Sequence, residues 1–256
     1  MQISQRVKVP ILTYHSIDAS GSVISVAPEI FREQMKSLSE AGYNVISLSK
    51  LVELLIDENS FAPKTIVLTF DDGFRNFYTK AFPVLEQYGF GATVFLVTDY
   101  CGKRNEWEAN SPGIPLSDML DWREVRELNG YGIEFGAHTR THPDLTRISP
   151  AEAKRETIES KTKIEDEVGC EVTTFAYPYG KFNASVKRVV AENFNAACST
   201  NLGKARRTSD FHSLERIDSC YLSNQRIFIS LSSAVFDQYM CLRQAMRHVK
   251  TLVNQK

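Results

Sequence analysis

Apolar residues recur along this chain in two alternating periods, short near-continuous runs and stripes at helical spacing. Residues 9–14, Val-Pro-Ile-Leu-Thr-Tyr, predict a strand. Pro28 opens a helix with Phe31, Met35 and Leu38 on one face, closed by Gly42. Residues 44–48 predict a strand, and Ser49 the cap of a short helix with Leu51, Leu54 and Leu55 inward. Residues 65–70 are apolar almost throughout, as in a strand buried on both faces. Phe77, Ala81 and Leu85 form a helical stripe that Pro83 must break or restart. Strands follow at 92–97, 133–136, 172–177, 195–200 and 214–217, with helices at 121–129, 150–168 and 183–194. Ser149-Pro150-Ala151-Glu152 has the form of a capping box with proline at the first helical position.

Strands alternating with helices argue for an α/β fold with a parallel sheet. Seven or eight such units in 256 residues favour a barrel over an open sheet. The first strand lacks a glycine-rich turn after it, which disfavours a dinucleotide-binding sheet. Residues 99–120 read as a long irregular loop, of the kind that often walls a functional site. The chain reads as one domain over 1–256, with 223–256 a C-terminal helical extension. There Val235, Tyr239, Leu242, Met246, Val249 and Val253 recur as an apolar seam. The seam is expected to dock on the barrel, with a homodimer contact as the alternative.

Composition narrows the function. The 30 Lys and Arg against 31 Asp and Glu leave no basic excess to neutralise a nucleic acid. No apolar run approaches the length of a membrane span. The N-terminus carries no leader-like apolar stretch, so a cytoplasmic location is expected. The five cysteines are scattered without a C-x-x-C pair, as expected of reduced thiols.

Three segments carry candidate chemistry, each at the C-terminal end of an expected strand, the catalytic face of a parallel barrel. Thr69-Phe70-Asp71-Asp72-Gly73 sets two carboxylates side by side, which repel unless a cation or a shared proton intervenes. His138 and His142 lie four residues apart in His138-Thr139-Arg140-Thr141-His142-Pro143. One helical turn places such a pair on one face. One Asp with these two His makes a three-donor set with an open position, as in catalytic zinc sites. Cobalt, nickel or iron fit the same donors. Phe175-Ala176-Tyr177-Pro178-Tyr179-Gly180 predicts a rigid turn with aromatic rings that could face a sugar, as could Tyr14 and Trp107.

In this order, TFDDG, HTRTHP and FAYPYG resemble the first three motifs of the NodB-homology polysaccharide deacetylases, carbohydrate esterase family 4. The resemblance spans roughly residues 9–217. It implies a distorted (β/α) barrel and a metal-dependent hydrolase that removes an N-acetyl group from an amino sugar in a polysaccharide, oligosaccharide or glycan precursor. It implies Asp72, His138 and His142 as metal ligands, zinc foremost, Asp71 as general base, and the Tyr179 backbone N–H as an oxyanion donor. Ala176 stands where the family commonly has an arginine that orients the base, and Arg75 or Arg140 are the candidates to replace it. A later motif that supplies a histidine acid is not visible. His15, at the end of the first strand, is the best-placed acid, ahead of His212 and His248. Deformylation or cyclic-amide hydrolysis on the same fold, and glycan binding without turnover, are the alternatives.

Overall fold

The computed structural model describes residues 8–57, 62, 64–108, 110 and 113–254, with side chains as far as residue 246. In chain order the elements are β1 (Ile11–Tyr14), β2 (Ser16–Ile17), β3 (Ser25–Val26), α1 (Pro28–Glu40), β4 (Asn44–Ile46), α2 (Leu48–Ile56), β5 (Thr65–Phe70), α3 (Phe82–Gln87), β6 (Thr93–Leu96), α4 (Trp122–Gly130) and β7 (Glu134–Ala137). There follow α5 (Pro150–Val168), β8 (Thr174–Ala176), α6 (Ala184–Asn193), β9 (Ala196–Leu202), β10 (Leu214–Asp218), α7 (Gln225–Phe228) and α8 (Ala234–Asn254).

All pairings within the main sheet are parallel, and β1 pairs with both β10 and β5. The sheet therefore closes, as a seven-stranded ring β1-β5-β6-β7-β8-β9-β10. The eighth strand, β4, pairs with Thr65–Val67 of β5, whereas β6 pairs with Thr69 and Phe70. A strand has two edges and β1 occupies one along Val67–Phe70. Hence β4 and β6 share the other, which is the distortion of the barrel. The expected seven or eight strands resolve into seven closed and one appended.

Strand alternation sorts the side chains. One face of each strand packs against the helices in a cluster that includes Leu12, Leu68, Val94, Phe135 and Ile217. The other faces inward, where Ile11, Val67, Phe95, Ala176, Cys198 and Leu214 fill the barrel. Leu48, Leu51, Val52 and Leu55 of α2 join this inner cluster. Burial of side chains of this size contributes roughly 1.5–3 kcal/mol each. Gly136 is needed inside the barrel, because a Cβ there would lie 2.5 Å from the Phe95 ring.

The residue that caps α2 is Ser47, whose side chain accepts from the Lys50 N–H, and Ser49 lies inside the first turn. The short helix thus starts before the expected serine, and Leu54 is only half-buried. Pro83 does restart its helix: a π-turn over Phe77–Ala81 runs into α3, with Pro83 in the first turn. On α8 the docked residues are Phe236 and Met240, both buried. Val235, Leu242 and Met246 of the expected seam are exposed, and the side chains of Val249 and Val253 lie outside the described residues. The helix is fixed by a polar contact that periodicity does not show: Lys204 and Lys8 both bond Asp237.

Candidate active site

Inward alternation along β5 runs Val67, Thr69, Asp71, so Asp71 enters the barrel mouth by strand geometry alone. Asp72 would point outward if the strand continued. Instead it is left-handed, with φ 72°, and the chain turns. Gly73 follows at φ 84°. Both carboxylates therefore reach one rim, and both are buried.

His138 follows β7, its Nδ1 2.7 Å from the Ala176 carbonyl. That carbonyl takes the Nδ1 proton, which leaves the Nε2 lone pair free for the site centre. His142 is brought round by a non-helical turn in which Thr139 (φ 68°) and His142 (φ 60°) are left-handed. The expected helical turn is absent because residues 138–141 continue from a strand end and borrow hydrogen bonds from neighbouring elements. Thr98 N–H donates to the Thr139 carbonyl, and Asp99 N–H to the Arg140 carbonyl. The Glu156 carboxylate accepts from the Arg140 and Thr141 N–H groups. His142 Nδ1 meets the Tyr179 hydroxyl at 3.0 Å, and the Trp107 ring lies 4.7 Å from the His142 ring.

These elements bring three donor atoms together. Asp72 Oδ1 lies 3.4 Å from His138 Nε2 and 3.3 Å from His142 Nε2, and the two nitrogens are 3.2 Å apart. Asp72 Oδ1 is fully buried and has no hydrogen-bond partner. A tetrahedral ion with bonds of about 2.0–2.1 Å spaces its ligands about 3.3–3.4 Å apart. The donor set, its spacing and the orphaned oxygen all fit a divalent metal ion. Burial opposes ionisation of Asp72, yet the two imidazoles beside it hold its pKa well below the usual carboxylate value.

Asp71 has the opposite environment. Arg216 of β10 grips it in a two-pronged pair, Nη1 to Oδ1 and Nη2 to Oδ2, both 2.7 Å. The guanidinium is buried and also donates to the Ser199 carbonyl and the Thr69 hydroxyl. Burial works to raise the Asp71 pKa, but the charge and hydrogen bonds of Arg216 outweigh it and keep Asp71 ionised. The arginine missing at position 176 is thus supplied from β10. Arg75 and Arg140 do not replace it: Arg75 pairs with Glu124, and Arg140 with Asp99 and Glu159. An arginine two residues after Leu214, at an inward position of β10, was the signal in the sequence.

His15 Nε2 lies 3.9 Å from Asp71 Oδ2, and His15 lines the same cavity of about 190 Å³. His212 turns away, its Nε2 2.9 Å from the Phe194 carbonyl, and the side chain of His248 lies outside the described residues. Tyr179 is left-handed at φ 58° and lines the cavity, its phenol pushed up to about 12 by burial. Trp107, Asn110 and Ile114 make the long loop one wall, with Val23 and Ile24 also at the cavity. Tyr177 lines the floor, whereas Tyr14 is wholly buried against α1, bonded to Gln34, and cannot face a sugar. Of the five left-handed residues other than glycine among those described, four are Asp72, Thr139, His142 and Tyr179. Such concentration of backbone strain marks functional sites.

Comparison with known proteins identifies the family. The family model for polysaccharide deacetylases matches residues 58–195, more than half of the chain and all three motifs. YxkH of Bacillus subtilis (strain 168), which its name places among polysaccharide deacetylases, is 27% identical over 234 residues, covering 91% of this chain and 76% of that protein. The poly-beta-1,6-N-acetyl-D-glucosamine N-deacetylase of Escherichia coli (strain K12) is 29% identical over 135 residues. That match covers 50% of this chain and 20% of the enzyme, so this chain spans about a fifth of its length. Among solved structures, the Streptococcus pyogenes deacetylase PplD in complex with acetate superposes with a TM-score of 0.73 at 29% identity, covering 83% of this chain and 92% of that one. IcaB from Ammonifex degensii shares the fold, with a TM-score of 0.72 at 20% identity over 86% of this chain and 97% of that one. The chain belongs to the polysaccharide deacetylase family and is a hydrolase of amide carbon–nitrogen bonds.

Proposed function

We propose that the protein removes N-acetyl groups from amino-sugar residues of a glycan, with a divalent metal, zinc foremost, held by Asp72, His138 and His142. The carrying observation is the buried triangle of donors with an orphaned Asp72 oxygen, set beside an ionised Asp71. When bound, the ion supplies Lewis acidity, lowering the pKa of a water and polarising the acetyl carbonyl.

The chain's own residues then divide the work. Asp71 accepts the proton of the attacking water, its carboxylate kept ionised and fixed in place by Arg216. The Tyr179 backbone N–H donates to the oxygen that gains charge as water adds to the carbonyl carbon. His15, facing the same cavity, gives a proton to the sugar nitrogen as the carbon–nitrogen bond breaks. The products are acetate and a free amine. The Trp107 and Tyr179 rings both pack against the His142 imidazole, and the Ala176 carbonyl orients that of His138. Apart from the carboxylates and imidazoles, the cavity is lined by neutral groups, Val23, Ile24, Trp107, Asn110, Ile114, Tyr177, Tyr179 and Thr200. That lining suits an uncharged N-acetylated sugar, and poly-β-1,6-N-acetylglucosamine, named for the Escherichia coli relative, is the first substrate to try.

Metal content by mass spectrometry on wild type and His138→Ala tests the centre. Wild type is expected to hold about one equivalent and His138→Ala to lose it. A chain that takes up no metal after zinc reconstitution sinks the proposal. Product analysis on the loaded enzyme separates acetate from formate or ureide release and so fixes the acyl group.

A further inference from the structure

Glu156 is a buried carboxylate that the chemistry above does not use. It sits on the packed face of α5, among Ala153, Thr157, Ser160 and Ile164. A glutamate at such a position is costly unless its oxygens are satisfied. One oxygen accepts the Arg140 N–H at 2.8 Å and the Thr141 N–H at 2.9 Å. The other accepts the Thr141 hydroxyl at 2.9 Å. Two successive backbone N–H groups converging on one anion form a nest. This nest lies in the turn between His138 and His142.

We infer that Glu156 is a positioning residue that holds the two imidazoles at chelating separation, and thereby sets the metal affinity of the site. The inference rests on the metal centre proposed above. The turn has no helix or sheet of its own to fix it. Its carbonyls at 139 and 140 are taken by Thr98 and Asp99, and the His142 N–H by the Thr139 hydroxyl. The remaining N–H groups, at 140 and 141, point to Glu156. Without the carboxylate they lose their acceptor, and the left-handed Thr139 and His142 lose the contact that holds the turn in its strained shape. The Nε2 atoms, 3.2 Å apart here, then separate.

Cobalt(II) titration of the metal-free full-length chain, followed by visible absorption against a competing chelator, measures this directly. Glu156→Ala is expected to weaken cobalt binding about 10–100-fold and to alter its absorption bands. Glu156→Gln keeps an amide oxygen that can accept both N–H groups, and is expected to stay within roughly threefold of wild type. Thr141→Val, which loses only the hydroxyl bond, falls between. Thermal unfolding of the metal-free proteins separates this from general loss of stability. Unchanged cobalt affinity and bands in Glu156→Ala, however unstable the variant, overturn the inference. If that variant does not fold, Thr141→Val decides, and wild-type affinity in it overturns the inference. A wild type that binds no cobalt overturns the metal centre and this role together.

Discussion

A carboxylate lies by each end of β7, Glu134 at its start and Asp72 past its finish, and the two ends are built in opposite ways. At its start, Glu134 is surrounded by donors: the Ser49 N–H and hydroxyl from α2, Thr93 from β6 and Thr174 from β8. Past its other end, His138 and His142 surround Asp72, whose Oδ1 has no donor at all. The lower end joins neighbouring strands and the first turn of α2 by saturating a carboxylate. The upper end leaves lone pairs converging on a common point. A satisfied carboxylate stabilises structure, whereas converging lone pairs need a cation or a proton between them. The difference matches the proposed division between the part of the barrel that holds the fold and the part that does chemistry.

The strongest way to sharpen this contrast is at the upper rim. Asp71→Asn is expected to lower turnover about 10²–10⁴-fold while metal content stays at the wild-type level. Near-normal turnover in that variant removes Asp71 as the base.

Next in size is Arg216→Met. Removing one partner of a buried ion pair costs about 3–5 kcal/mol, readable by urea unfolding at neutral pH. The pair holds the Asp71 pKa below its ordinary value. Its contribution is therefore present above the unfolded carboxylate pKa of about 4 and is lost as pH falls through the folded value. The stability gap between wild type and variant should close in acid. With the guanidinium gone, burial acts unopposed, so the acid limb of kcat/KM should move to higher pH. An acid limb that does not move means Arg216 does not set the ionisation of the base.

The smallest effect is expected at the lower end. Glu134→Gln should cost about 1–3 kcal/mol of stability, because an amide nitrogen must face donors that the carboxylate accepted. Metal affinity should not change. A loss of metal there breaks the contrast, since it shows that the two ends are coupled along β7.

The strands were legible because their apolar runs are local, and the three motifs were legible because each follows one strand directly. Which strand ends meet is a property of closure, and no local pattern carries it. Arg216 reaches Asp71 across 145 residues, and β10 lies beyond the segment the family model matches. The His138–His142 spacing pointed to one site but through the wrong geometry. A four-residue separation is also met by two left-handed residues, and the sequence offered no glycine to reveal them. The polar ties of Glu156 and Asp237 escaped for a related reason. A charged residue on an apolar helix face reads as a break in the pattern until its partner is known. The split edge of β5, shared by β4 and β6, follows from strand lengths that periodicity fixes only to within a residue or two.

Asp72, Thr139, His142 and Tyr179 hold conformations that glycine adopts freely and that other residues adopt at about 1–2 kcal/mol each. Glycine there would relieve that backbone cost but would also remove side-chain contacts, as at Thr139, whose hydroxyl accepts the His142 N–H. The rim therefore holds backbone strain that its own side-chain contacts keep in place.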